Sequence, residues 1–301
     1  MMTKNKQYFY YQLSLLTGII TSVLIFLNGE LANIYGLYTG TLIAHLVAVL
    51  GSFAVFLFKK ENFTLTKLPW YLYSGGAVGL IGVVVINISY GRISVTAILA
   101  LGLLAQSIVG LIIDQFGLLG MPQVPFSTKK LIGISLVVLG IIVMITDFEL
   151  VAVILSFLAG VIVIYVRTCN ARLSDEIGLT KSALVNFFVG TCAAMLAFLF
   201  LGRGEIPHIH FDFATSISHW YLFTAGLVGV CVVFLSNATV SKISAFYFSL
   251  FLFTGKTFSG VILDIMIANE FCIYNLFGAI LVTLGLAVNL IIDKLVPTLK
   301  S

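Results

Sequence analysis

Residues 70–89 read WYLYSGGAVGLIGVVVINIS, and residues 220–239 read WYLFTAGLVGVCVVFLSNAT. The chain's two tryptophans open the two stretches, and Gly79 and Asn87 fall on Gly229 and Asn237. The match runs on without a gap, at a shift of 150, until Ser94, Gly110 and Asp114 meet Ser244, Gly260 and Asp264. Upstream, residues 16–58 align with 158–200 at a shift of 142, which puts Gly18, Asn28, Leu31, Gly36 and Leu37 on Gly160, Asn170, Leu173, Gly178 and Leu179. Near the end of each copy, Gly133 and Gly140 fall on Gly278 and Gly285 at a shift of 145. Order and spacing are kept throughout, so the chain is an internal duplication.

The repeated stretches are too apolar for a soluble core. With 60% hydrophobic and 9% charged residues, the chain falls far below the quarter or so of charged residues expected of a globular domain. Its apolar residues come in blocks of about 17–22, long enough to cross a hydrocarbon layer of about 30 Å. The blocks lie near 12–29, 39–58, 70–89, 94–113, 130–146, 151–168, 183–201, 220–237, 244–263 and 275–292. The fold class is therefore an all-α polytopic membrane protein of ten transmembrane helices, arranged as two inverted five-helix repeats. Residues 12–146 form the first repeat and 151–292 the second, together making a single integral membrane domain. Five crossings is an odd number, so the second copy crosses in the opposite sense to the first. Inverted repeats of this kind suit secondary transporters, where two similar halves exchange conformations around a central site.

Counting spans assigns each basic residue to a side. Thirteen of the sixteen Lys and Arg fall on the side of the termini, Arg92 and Arg203 on the other, and Lys256 within a span. That asymmetry predicts cytoplasmic N- and C-termini in a bacterial cytoplasmic (inner) membrane. The net charge of +4 follows from topology and implies no nucleic-acid partner. Met1–Tyr11 lacks the pattern of a cleavable signal peptide. Cys169, Cys192, Cys231 and Cys272 lie within or at the ends of apolar spans and read as small hydrophobes. Phosphate-loop, zinc-protease and nucleophile-elbow motifs are absent, and the connections are too short for a catalytic domain. The expectation is a non-enzyme with no cofactor and no metal. His208-Ile209-His210-Phe211-Asp212 alternates possible ligands, but the pattern alone is weak and an interfacial loop rich in histidine and aromatics explains it equally well.

Polar residues inside spans must pair, face a cavity or sit near an end. Lys256 lies about thirteen residues into span nine, too deep to snorkel. Its counterpart is Gln106, and each is followed at four and eight residues by glycine and aspartate, which places Gln106, Gly110 and Asp114, and Lys256, Gly260 and Asp264, on one helical face each. The glycine leaves room for a ligand or a helix. Lys256 is the candidate contact for an anionic or zwitterionic substrate, with Gln106, Asn87, Asn237 and Tyr247 as further substrate-binding candidates. Asp114, Asp264, Asn28 and Asn170 are candidates for gating or coupling. Asn28 and Asn170 end spans one and six, and Asn87 and Asn237 end spans three and eight; capping and helix–helix hydrogen bonds are the structural expectation for all four. A boundary carboxylate such as Asp114 is often simply solvated. His45 reads as a hydrogen-bonded structural histidine. Phe246, Tyr247, Phe248, Phe251, Phe253 and Phe258 crowd span nine, and most of these phenylalanines are expected to face lipid. Gly75/Gly79 give a small-residue surface on span three, while Gly133/Gly140 and Gly278/Gly285 mark one face of spans five and ten. Neither span one nor span six carries an acidic residue, which argues against a simple cationic-drug exporter.

Four elements carry a family resemblance: Asn28-Gly29-Glu30-Leu31, the glycine-led span two, Gly75-Gly76-x-x-Gly79, and Ile113-Asp114-Gln115-Phe116-Gly117-Leu118-Leu119-Gly120. The chain resembles the YdcZ-type family of the drug/metabolite transporter (DMT) superfamily, here as two fused five-helix units. The second copy departs from the pattern, with Asp264 followed by Ile-Met-Ile-Ala-Asn-Glu and Lys256 in place of Gln106. The resemblance implies a bacterial inner-membrane carrier with a cavity lined by spans 1, 3, 4, 6, 8 and 9, and with spans 5 and 10 stacked at one end. The sequence reading is thus a secondary transporter of a small organic metabolite, working by alternating access in the lipid bilayer as a monomer or homodimer, with proton-coupled export one version of it. The alternative is a gated pore or facilitator for small anions, with Lys256 as its selectivity charge.

Overall fold

The computed structural model describes residues 4–62, 67–89, 92–93, 95–121, 123, 127–144, 149–205, 218–263, 265 and 273–295. Among them are ten α-helices: α1 (Lys4–Tyr35), α2 (Leu37–Phe58), α3 (Gly75–Ser89), α4 (Val95–Phe116), α5 (Leu131–Met144), α6 (Leu150–Ile177), α7 (Leu179–Leu201), α8 (Ala225–Val240), α9 (Ala245–Leu263) and α10 (Ile273–Leu295). Seven are long and apolar enough to cross a membrane, and α3, α5 and α10 contribute shorter apolar stretches. Single 3₁₀ turns at Trp70–Tyr73 and Trp220–Thr224 lead into α3 and α8 and leave both indoles exposed, as suits a headgroup boundary.

Two helices outrun their apolar blocks. With 32 and 28 residues, α1 and α6 are about 48 and 42 Å long at 1.5 Å per residue. Asn28 and Asn170 therefore lie inside these helices and do not end them, which corrects the capping expectation for this pair. The physical stop comes one or two turns later, at Gly36 and Gly178, which have φ 92, ψ 159 and φ 92, ψ 155. Only glycine takes that backbone without strain, so the repeat is reproduced in the dihedral angles as well as in the sequence.

The helices fall into two compact units. The first comprises residues 1–19, 85–164 and 239–301, and the second 20–84 and 165–238. In the first, α5 lies along α10 and α4 packs on α9. Gly133 and Gly140 face Gly285 and Gly278 so closely that an added Cβ would strike the opposing backbone carbonyl or the Asn289 amide. The glycine faces of spans five and ten thus pack on each other.

In the second unit, α2 lies along α7. Gly76 of α3 approaches the Asn186 carbonyl and Gly190 of α7, while Gly226 of α8 approaches the Ala44 carbonyl and Ala48 of α2. Asn186 and Gly190 are the repeat partners of Ala44 and Ala48, so one contact is made twice. Gly75 and Gly76 make the close approaches on α3, whereas a Cβ on Gly79 would be an ordinary 3.8 Å from Val166. His45 behaves as expected, its Nδ1 bonded to the Thr41 carbonyl at 2.9 Å and its ring against Gly190.

Candidate substrate site

Within the first unit, α9 crosses α1 and α4 crosses α6 at glycines related by the repeat. A Cβ on Gly18 would collide with the Leu252 carbonyl and lie 2.9 Å from the Lys256 amide nitrogen. A Cβ on Gly255 would collide with the Leu15 carbonyl. At the other crossing, Gly160 stands against the Gly102 carbonyl and the Ala105 side chain, 2.7 Å from its would-be Cβ. Glycine is needed because the backbones touch. The consequence is positional: Lys256 and Gln106 both sit in the turn that makes the crossing.

Lys256 and Gln106 are each 8% exposed. Gln106 donates from Nε2 to the Gly102 carbonyl at 3.0 Å. The α4–α9 pair is antiparallel, since Asp114 at the end of α4 meets Ser244 and Phe246 at the start of α9. Counting from that contact at 1.5 Å per residue, Gln106 lies about 12 Å down α4 and Lys256 about 15 Å down α9. The structure therefore brings the two residues to nearly the same level of one unit. One turn past Lys256, a Cβ on Gly260 would meet no group of the described residues within 4 Å. Ser107 and Thr257, the residues after Gln106 and Lys256, are both buried, and neither hydroxyl has a hydrogen-bond partner among the described residues. The sequence reading passed over this pair, although the shift of 150 aligns the two positions.

The other candidates take different places. Tyr247 is buried, donates its hydroxyl to the Asn289 carbonyl at 3.1 Å, and packs its ring against Tyr11 and Phe246. Phe246, Phe248 and Phe253 are at most 3% exposed. These three are core residues of the first unit and do not face lipid, because α9 is surrounded by α1, α4 and α10 there. Asp114 is not simply solvated: it is 4% exposed and accepts the Ser244 hydroxyl at 2.5 Å and the Phe246 amide at 3.2 Å. It thus caps α9 from a neighbouring helix.

Asn170 and Asn237 belong to the second unit. Asn170 donates from Nδ2 to Asn186 Oδ1 at 2.8 Å, its carbonyl accepts the Ser182 hydroxyl at 3.0 Å, and Asn237 donates to Ser182 Oγ at 3.3 Å. This network ties α6, α7 and α8. Asn28 is only half-buried, and the helix it sits on packs an apolar cluster of Leu27, Leu31, Tyr35, Ala44, Leu222 and Ala225. The side chain of Asn87, together with Asp264, Cys272 and the His208–Asp212 segment, lies outside the described residues.

The family described as "Putative inner membrane exporter, YdcZ" matches residues 9–143 and again residues 151–288. The chain belongs to the YdcZ family of the DMT superfamily. The double match covers most of its length in two repeats, and the protein is a membrane transporter. No curated protein matches it. A solved structure described as "Crystal structure of protein" is similar in fold, with a TM-score of 0.70 over 98% of this chain and 100% of the other at 12% identity.

Proposed function

We propose that this YdcZ-family protein is a secondary transporter that moves a small organic anion or zwitterion across the bacterial inner membrane by alternating access, with both termini cytoplasmic. The observation carrying this reading is Lys256, a lysine only 8% exposed in mid-span at a glycine crossing. A cation held in the hydrocarbon region is expensive and marks a substrate or ion path. Gln106 at the same level offers amide hydrogen bonds, and the Ser107 and Thr257 hydroxyls add donors and acceptors suited to a carboxylate or phosphate group. A lysine in mid-span favours an anionic group over an organic cation. The inverted repeat supports rigid-body rocking of its halves, the motion alternating access needs.

The test is a thermal-shift screen of metabolites on the wild-type protein, followed by counterflow of each hit in liposomes. Lys256→Gln, which restores the residue of the first repeat, is expected to lower affinity for anionic hits at least tenfold while leaving the fold intact. Equal affinity in wild type and variant refutes the role of Lys256. Current without saturation or counterflow refutes the carrier and favours an anion pore.

A further inference from the structure

The two helix breaks at Gly36 and Gly178 are alike in backbone and different in what covers them. At Gly178, no group of the described residues comes within 4 Å of a would-be Cβ. At Gly36, that Cβ would lie 2.6 Å from the carboxylate of Glu205. Glu205 follows the 3₁₀ turn Gly202–Gly204 that ends α7. Its Oε1 accepts the Tyr38 amide at 3.0 Å, and its Oε2 accepts both the Thr39 amide and the Thr39 hydroxyl at 2.9 Å. Gly36, at the N-cap of α2, has no side chain to satisfy those amides. A carboxylate from 166 residues away does so instead, where the positive end of the helix dipole favours it. Gly202 also lies close against Tyr38, so the end of α7 is seated on the start of α2.

The other end of the α2–α7 pair is fastened by different chemistry. There the neutral Asn170–Asn186–Ser182–Asn237 network holds α6, α7 and α8, and Lys181 reaches the Asn62 carbonyl at 3.4 Å. The first-repeat counterparts of Asn186 and Ser182 are Ala44 and Gly40, so no equal network can form around Asn28. One end therefore rests chiefly on a neutral amide and hydroxyl network, and the other on the Glu205 carboxylate. Moreover, the two amides and the hydroxyl that Glu205 accepts are not part of the α2 backbone ladder, so these bonds can open without unwinding that helix.

From this asymmetry we propose that Glu205 is a gating latch: its carboxylate clasps the Gly36–Thr39 helix start and closes the second unit at the face opposite the termini, and its release opens that face during transport. The proposal rests on the carrier reading, but its test uses neither a substrate nor Lys256. Hydrogen exchange is measured on the full chain in detergent micelles for wild type, Glu205→Gln and Glu205→Ala. Exchange at Tyr38 and Thr39 is expected to rise about tenfold or more in both variants, Gln less than Ala, because charge-assisted bonds are lost. The peptide at Gly178–Ser182 serves as the control and stays unchanged. A second arm places Leu42→Cys, one turn deeper in α2 and buried, in a background with the native cysteines replaced by alanine. An impermeant maleimide is expected to label it several-fold faster with Glu205→Gln. Unchanged exchange at Tyr38 and Thr39 overturns the latch. Faster exchange with unchanged labelling of Leu42→Cys makes Glu205 a static cap and overturns the gate. Thr39→Val, which removes one bond and leaves Glu205 in place, should give intermediate values in both arms.

Discussion

Asp114→Ala tests whether the α4–α9 pair is held by charge or only by packing. Asp114 is 4% exposed, and its Oδ2 accepts the Ser244 hydroxyl at 2.5 Å and the Phe246 amide at 3.2 Å. A hydrogen bond between neutral groups of membrane helices averages about 0.6 kcal/mol, whereas a bond to a buried charge contributes about 1.5–3 kcal/mol. Truncation removes both bonds and leaves the Phe246 amide without its acceptor at the start of α9. The expected destabilisation is about 3 kcal/mol, measured by reversible unfolding in mixed micelles. Asp114→Asn keeps an acceptor and loses the charge, so about half of that loss is expected. Ser244→Ala alone should cost about 1 kcal/mol, and next to nothing in the Asp114→Ala background, because its partner is already gone. Strict additivity of Asp114→Ala and Ser244→Ala, or a cost below about 1 kcal/mol for Asp114→Ala, would refute the cap.

Gly76→Ala should destabilise by about 1–3 kcal/mol, since its Cβ would overlap the Asn186 carbonyl. Gly79→Ala, with 3.8 Å of room, should be neutral or slightly stabilising by the same unfolding assay. Asn186→Leu removes the acceptor of the buried Asn170 amide and should cost about 1–3 kcal/mol; Asn28→Leu, on the half-buried repeat partner of Asn170, should change stability by less than about 0.5 kcal/mol. Arg92→Ala should leave unfolding unchanged within about 0.5 kcal/mol, because its 3.7 Å pair with Glu149 is largely exposed.

The helices were legible because a membrane forces long apolar blocks, and the duplication gave each block a second witness. Helix ends were less so. The last turns of α1 and α6 carry Glu30, Asn33, Arg172 and Glu176, polar residues that end an apolar block without ending a helix. Pairs such as Arg172–Glu176 at 3.4 Å support a helix in water. Gly36 and Gly178 marked the true stops and already stood in the repeat register. The aromatic face of α9 was misjudged for a related reason. Periodicity reports that a face is apolar, and lipid and protein interior are equally apolar, so Phe246, Phe248 and Phe253 could be placed only by their neighbours.

For the candidate site, the register carried Lys256 and Gln106 but missed the groups whose meaning lies across the sequence. Glu205 has no repeat partner and sits in a connection, where a carboxylate reads as solvated until the Gly36 break is seen beneath it. The same holds for Asp114, whose partner amide belongs to a helix 132 residues away. A duplicated chain can keep its scaffold only where both copies need the same contact, as at Gly18 and Gly160 or Gly76 and Gly226. The copies differ at Lys256 against Gln106, at Asn186 against Ala44, and at Glu205 over Gly36 where no group of the described residues stands over Gly178. Each difference puts a charged group, or a polar group facing an apolar counterpart, on one side of the repeat alone. Ala44 and Gly40 supply no substitute for Asn186 and Ser182, and no group of the described residues stands over Gly178 as Glu205 stands over Gly36. In the carrier proposed above, direction requires two unequal faces, and these are positions at which the two repeats differ.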